Sequence, residues 1–277
     1  MNDSFFDSGK SFEECRVAVV PVPYDGTVFF GKGCRDGPEA ILKASKFLES
    51  FDLECGFDIS EKVGFFTLPE VEPVVSGPEK MIESVENAVK EVVNKGKFPL
   101  VFGGEHSISL GAVRCFDKKV SVLVFDAHLD FRDDFEGSKF SHACVVKRLK
   151  DEGFNVVVVG VRSCFDNISQ EELRFFRNLS DVEGVLNSLG NEVYVSFDFD
   201  ALDPSIMPST GAPEPDGLLW REVVSFLRVL SSRKKIVGMD FVELAPIPGF
   251  EAPNVLAAKL VYESVGFAFR NKVYPDF

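Results

Sequence analysis

At 277 residues, 45% hydrophobic and 27% charged, the chain has the composition of a folded globular protein and enough length to bury a large core. Its formal net charge of −14, from 30 basic and 44 acidic side chains, excludes the basic surface that sequence-independent nucleic-acid binding requires. No apolar run is long enough to cross a bilayer and Met1 to Phe5 carries no signal-like core, so a cytoplasmic protein with no membrane partner is expected.

Residues 1–15 read as an irregular or edge segment, and Arg16 to Val22 as the first strand. In the loop from Pro23 to Asp36, Gly26, Gly31 and Lys32 have the spacing of a phosphate loop. Gly33 stands where that motif needs a hydroxyl, and Thr27-Val28-Phe29-Phe30 is too bulky a filling, so the match is accidental. A helix follows from Pro38 to Phe51, with the proline in its first turn. Val63 to Thr67 is a short strand. Glu79 to Lys95 is a helix whose apolar stripe runs Met81, Val85, Ala88, Val89, Val92, Val93, with Gly96 as its cap. The strand Phe98 to Phe102 leads into Gly103-Gly104-Glu105-His106-Ser107, and the strand Ser121 to Phe125 into Asp126-Ala127-His128-Leu129-Asp130.

A helix is expected from near Ser141 through Lys150, and a strand from Asn155 to Val161. Ser169 to Glu172 fits a capping box that opens a helix towards Asn178. After a short helix from Asp181 to Leu189, the strand Val193 to Phe197 ends at Asp198 and Asp200. The loop from Ala201 to Gly217 is broken by Pro204, Pro208, Pro213 and Pro215. A helix (Leu219 to Ser231), a strand (Lys235 to Phe241) and a last helix (Asn254 to Asn271) complete the chain. Strands alternating with helices predict a three-layer α/β/α sandwich with a mostly parallel sheet. With no repeat, low-complexity stretch or linker, residues 1–277 read as a single domain. In parallel sheets ligands bind at the carboxyl ends of strands, which is where the polar clusters fall.

The only three histidines are His106, His128 and His142, all in or just after one short stretch. If the strand conformation persists, Asp126, His128 and Asp130 share one face, and so do Asp198 and Asp200. A lone strand-end histidine is usually a hydrogen-bonded structural residue, and a lone aspartate there a turn cap. Four carboxylates gathered in one cleft are different: left unpaired they repel, and two divalent cations would balance them. The six cysteines show no metal-site or disulfide spacing and read as free thiols.

Three segments, Gly103–Ser107, Asp126–Asp130 and Ser196-Phe-Asp-Phe-Asp-Ala-Leu-Asp-Pro204, resemble the signature motifs of the ureohydrolase family, the arginases and agmatinases. Val22 to Gly26 and Gly33 to Pro38 match its N-terminal pattern. The resemblance implies two manganese ions (Mn2+) per subunit. His106, Asp126, Asp130 and Asp198 would surround one; His128, Asp126, Asp198 and Asp200 would surround the other, with Asp126 and Asp198 bridging. Imidazole with several carboxylates is a donor set that suits manganese. Glu243 would hold a guanidinium, His142 would contact substrate or shuttle protons, and Asp130 would relay the proton of the leaving amine. Hydroxide bridging the ions would attack the guanidinium carbon and release urea. Asp203 matches a family position but reads as a turn carboxylate. A homo-oligomer, trimer or hexamer, is implied.

For the substrate, a small cationic guanidino compound is expected. Asp133, Asp134 and Glu136 predict an acidic rim suited to a cationic tail, and Ser141 to Val145 and Pro213-Glu-Pro215 look more like agmatinases than arginases. Agmatine hydrolysed to urea and putrescine, a step of polyamine biosynthesis, is therefore the expected reaction. Arginase, formimidoylglutamase or other guanidino-acid hydrolase activity is the alternative within the family, and a non-catalytic metal-binding protein the alternative outside it. Ala212 departs from the family, which has threonine there.

Overall fold

The computed structural model describes residues 4–273. Eight parallel strands form one sheet: β1 (Val17–Val22), β4 (Phe65–Thr67), β5 (Phe98–Gly103), β6 (Ser121–Phe125), β7 (Asn155–Val159), β8 (Arg174–Phe176), β9 (Glu192–Asp198) and β10 (Lys235–Val242). Their order is β4-β1-β5-β10-β9-β6-β7-β8. Two further strands, β2 (Phe51–Asp52) and β3 (Phe57–Asp58), make a small antiparallel hairpin outside it.

The valine-rich strands are buried on both faces, as parallel sheets require. Alternation along β1 sorts its side chains into two cores. Val17 and Val19 face one cluster, which also takes up side chains of α1 (Gly37–Ser45), α6 (Val182–Asn187), α7 (Trp220–Arg233) and α8 (Ala252–Val273). Ala18, Val20 and Val22 face the other, built from α3 (Pro78–Asn94), α4 (Ile108–Val113) and α5 (Val145–Asp151). The result is the expected α/β/α sandwich. A single helical turn, α2 (Ile59–Lys62), follows β3.

Several local expectations change. The first helix stops at Ser45, and Phe51 begins β2. The capping bond at Ser169 forms, with its hydroxyl accepting from the Glu172 amide at 3.2 Å, but only one turn follows. Arg174-Phe175-Phe176 then pairs in parallel with Val157–Val159, because aromatic residues beside an open strand gain more from the sheet than from a solvated helix. The reading of residues 1–15 as irregular holds from Ser4 onward, where a short 3-10 turn places Phe5 in the core; residues 1–3 lie outside the described residues. Among the described residues, no helix is long and apolar enough to cross a membrane.

Candidate metal centre

The four neighbouring strands β5, β10, β9 and β6 carry the four polar motifs at their carboxyl ends. Gly103 and Gly104 end β5. The Gly104 amide donates to Val22 O and the Glu105 amide to Tyr24 O. A side chain at 104 would stand 1.9 Å from Tyr24 O, so only glycine lets the chain pass and deliver His106. β6 stops at Phe125. The alternation expected through Asp130 ends early, since Asp130 has φ 45°, in the left-handed region. Asp198 ends β9, while Asp200 lies in a 3-10 turn. The carboxylates converge through these tight turns rather than by strand alternation.

His106 Nδ1 lies 3.1 Å from Asp126 Oδ2, 3.3 Å from Asp130 Oδ2 and 3.4 Å from Asp198 Oδ2. His128 Nδ1 lies 2.9 Å from Asp200 Oδ2 and 3.6 Å from Asp126 Oδ1. Two donor sets result, His106/Asp126/Asp130 and Asp126/His128/Asp200, with Asp126 offering one oxygen to each. Asp198 turns its Oδ2 to the first set; its Oδ1 accepts the Asp200 amide at 2.8 Å.

Each donor is held in place. His106 Nε2 stands 3.0 Å from Ser196 Oγ, which donates to the buried Asp240 at 2.7 Å. The Ser196 hydroxyl spends its proton on Asp240, so it accepts from His106 Nε2–H and leaves Nδ1 facing the carboxylates. The Ala127 amide donates to Asp200 Oδ1, and the His128 amide to Asp126 Oδ1.

Electrostatics follow from crowding. Burial pushes the Asp126 and Asp198 carboxyls up, and neighbouring aspartates add to it. Burial opposes a charge on His106, but contacts with Asp126, Asp130 and Asp198 outweigh it and hold the imidazole well above its usual range. His128 behaves alike, pushed up to about 12 against the cost of burial by Asp126 and Asp200. For Asp200 burial is outweighed by His128, and its carboxyl is lowered. His106 Nδ1 and Asp126 Oδ2 are buried with no hydrogen-bond partner among the described residues. Facing unpartnered donor atoms, backed by three further carboxylates and a second imidazole, fit a pair of hard divalent cations.

The centre floors a cleft of about 270 Å³. Asp130, His142, Glu243 and Ala212 line it with His128, Asp198 and Asp200. Glu243 has φ 64° and its Oε1 accepts the His106 amide at 2.7 Å; burial, then the charge of Glu105, pushes its carboxyl up to about 8. His142 Nδ1 and amide both meet Thr27 Oγ1 at 3.0 Å, and Thr27 bonds the buried Glu105. Asp203 is a turn carboxylate as expected, accepting from the Ser205 and Gly217 amides. The acidic residues expected at the rim do not line the cleft: Asp133 is tied to Arg148, and Asp133, Asp134 and Glu136 are absent from the lining. Glu136 sits at the tip of a two-residue hairpin turn, and the wall is made instead by Phe29, Phe30, Phe135 and Phe165.

One positioning residue had gone unread. Arg162 donates to the carbonyls of Gly160, Asp200, Ala201, Leu202, Glu214 and Pro215. A lone arginine directly after an apolar strand was its available signal.

A sequence model described as the arginase family matches residues 15–266. The chain belongs to the arginase family. It is 39% identical to N(1)-aminopropylagmatine ureohydrolase of Thermus thermophilus, over 95% of this chain and 93% of that one. It is 36% identical to the agmatinase of Pyrococcus horikoshii, over 91% and 92%. The crystal structure of the agmatine ureohydrolase of Thermoplasma volcanium superposes with a TM-score of 0.89 at 30% identity, covering 98% of this chain and 96% of that one. This arginase-family chain is thus an amidinohydrolase, and within the family it is most like agmatinases and aminopropylagmatine ureohydrolases.

Proposed function

We propose that the enzyme uses two divalent ions, manganese by the chemistry of the donors, to hydrolyse a guanidinoalkyl amine to urea and the free amine. His106, Asp126, Asp130 and Asp198 would hold one ion, and His128, Asp126, Asp198 and Asp200 the other. The observation that carries the reading is the pair of donor sets sharing Asp126 at the floor of the cleft. When bound, such ions make hydroxide available near neutral pH and stabilise the charge that develops on the reacting centre.

The protein's own side chains do the rest. Glu243, buried at the cleft floor, takes the guanidinium as counter-ion; a cation beside it favours its ionised form. Its backbone is fixed by the Glu243 amide bond to Gly104 O, so it orients the reacting carbon over the donor sets. Asp130 accepts and passes on the proton needed by the leaving amine. His142, tied to Thr27 at the cleft wall, exchanges protons between that amine and solvent.

Agmatine, giving putrescine, is the simplest substrate with this chemistry. A second reading is N(1)-aminopropylagmatine, the substrate in the names of relatives from Thermus thermophilus and Synechocystis. The aromatic residues that line the cleft favour it, together with the Glu214 carboxylate 3.8 Å from His128 Nε2. The chain is read as one catalytic domain, acting in the cytoplasm as a homo-oligomer.

Urea release should be measured from agmatine, N(1)-aminopropylagmatine, arginine and 4-guanidinobutyrate, and formamide release from formiminoglutamate, with metal content determined on the same sample. Amines turned over in preference to amino acids, with two ions per chain, support the reading. A preference for arginine or a guanidino acid defeats it.

A further inference from the structure

We propose that Phe135 and Phe165, with Phe29 beyond them, are the specificity-determining residues of this site, forming an aromatic wall that recognises an extended polyamine tail. The inference rests on the amidinohydrolase reading for the guanidinium end and adds the recognition of the other end.

Phe135 is built into a rigid position. Its amide and carbonyl both bond Ser138 at 3.0 Å, closing a two-residue turn in which Glu136 (φ 52°) and Gly137 (φ 79°) are both left-handed. This is the primed hairpin geometry, which needs glycine at one of its centres. The turn sends Glu136 to the tip and Phe135 to the cleft. There Phe135 meets the His142 ring at 5.8 Å and the Phe29 ring at 5.9 Å, edge to face in both cases. Phe165 is fixed from the other side. Ser163 pairs with His128 in a parallel bridge and donates its amide to Ala127 O, which sets the start of this loop beside the donor sets. Arg132 packs its guanidinium 4.5 Å from the Phe165 ring centre and 5.3 Å from that of Phe135, bracing the two rings.

The outer cleft therefore offers the ring surface that the Arg132 guanidinium does not cover, with the partly exposed Glu214 carboxylate 3.8 Å from His128 Nε2 as an acidic neighbour. Ring faces attract ammonium groups, and ring edges and methylenes cover each other's apolar surface. Phe29 and Phe30, 66% and 78% exposed, line the same cleft. A tail that ends at one short spacer leaves these rings in water. A tail with a further methylene spacer and a second ammonium covers them. The chemistry points to a guanidine carrying a linear polyamine of at least two nitrogens.

The test compares N(1)-aminopropylagmatine, agmatine and butylguanidine, which lacks a distal amine, with 4-guanidinobutyrate as the carboxylate control. Calorimetric binding and urea release are measured for each, in the manganese-loaded enzyme and in the Phe165→Ala, Phe165→Leu and Arg132→Met variants. The wild type should favour the longest amine in kcat/KM. Phe165→Ala should lower the ratio of the longest amine to butylguanidine about tenfold, through KM rather than kcat. Phe165→Leu keeps an apolar side chain but no π face, and should lower the ratio in the same direction.

Equal losses on all three guanidines, or a leucine variant as selective as the wild type, would overturn the wall. So would a wild-type preference for 4-guanidinobutyrate that Arg132→Met abolishes, which would make Arg132 a carboxylate receptor. Phe165-dependent binding without urea release would keep the wall and remove the hydrolase reading instead. No binding of any guanidine would remove both.

Discussion

His106 Nδ1 and Asp126 Oδ2 face one another at 3.1 Å in the buried floor of the cleft, and neither has a hydrogen-bond partner among the described residues. A buried imidazole and carboxylate left in this relation cost free energy unless a third group satisfies both. Asp126 is also the residue common to both donor sets, so its removal should be felt at each. Asp126→Asn is expected to lose both ions on dialysis, whereas His128→Asn should retain close to one per chain. Both should lose activity on the order of 10²–10³-fold, the scale of several kcal/mol of charge stabilisation. Metal analysis of dialysed protein, together with urea release, checks this; full occupancy in Asp126→Asn would refute it.

Removing metal should also loosen the fold locally. Four aspartates meet within a few contacts of His106 and His128, and the cations proposed there would relieve their repulsion. Chelation is expected to lower the melting temperature and manganese to restore it, with the gain rising with free ion concentration as ligand linkage demands. An identical melting temperature with and without chelator would argue against a resident ion pair.

Glu243→Gln separates substrate binding from metal binding. Its carboxylate lies beside the His106 amide, outside both donor sets. The amide variant should keep its ions and lose about 10²-fold in kcat/KM, the value of a charge-assisted contact. Loss of metal from this variant would instead make Glu243 part of the ion site.

Arg162→Lys probes the loop behind Asp200. A lysine cannot reproduce the planar fork that reaches six carbonyls across Gly160, Asp200–Leu202 and Glu214–Pro215. The variant should be less stable by about 2–4 kcal/mol, since bonds from charged donors are the stronger kind. Urea unfolding measures it. Occupancy of the ion next to Asp200 should fall with it.

Far from the cleft, Glu263 gives stability a pH dependence. Burial, then the charge of Asp52, pushes its carboxyl up to about 7, although Lys259 stands 3.3 Å away. Its Oε2 has no hydrogen-bond partner among the described residues. The folded state therefore favours the protonated acid more than the unfolded chain does. That contribution is complete below the unfolded value of 4.5 and is lost as pH rises through about 7. Glu263→Gln should match the wild type near pH 4.5 and exceed it at pH 8 by about 2 kcal/mol. An equal difference at both pH values would contradict it.

The motif residues were legible because a metal site demands donors of a few types at strand ends, and His106, Asp126, His128, Asp198 and Asp200 are too polar for any other buried role. The layers were legible because Val17 to Val22 and its counterparts are apolar on both faces. What escaped depends on partners distant in the chain. Phe175 and Phe176 became strand only because β7 offered an open edge. Asp133 pairs with Arg148 of α5, 15 residues further on, rather than facing the cleft. Arg162 faces carbonyls 38 to 53 residues further on, and backbone acceptors leave no trace in side-chain pattern.

The strand order carries a temporal consequence. β9 and β10 enter the sheet between β5 and β6, so the two strands made first are bridged only by strands that are made later. Nascent chains lacking residues beyond about 190 hold His106 and Asp126 but no scaffold to set them side by side. Capture of the proposed cations would therefore have to wait until β9 and β10 are in place.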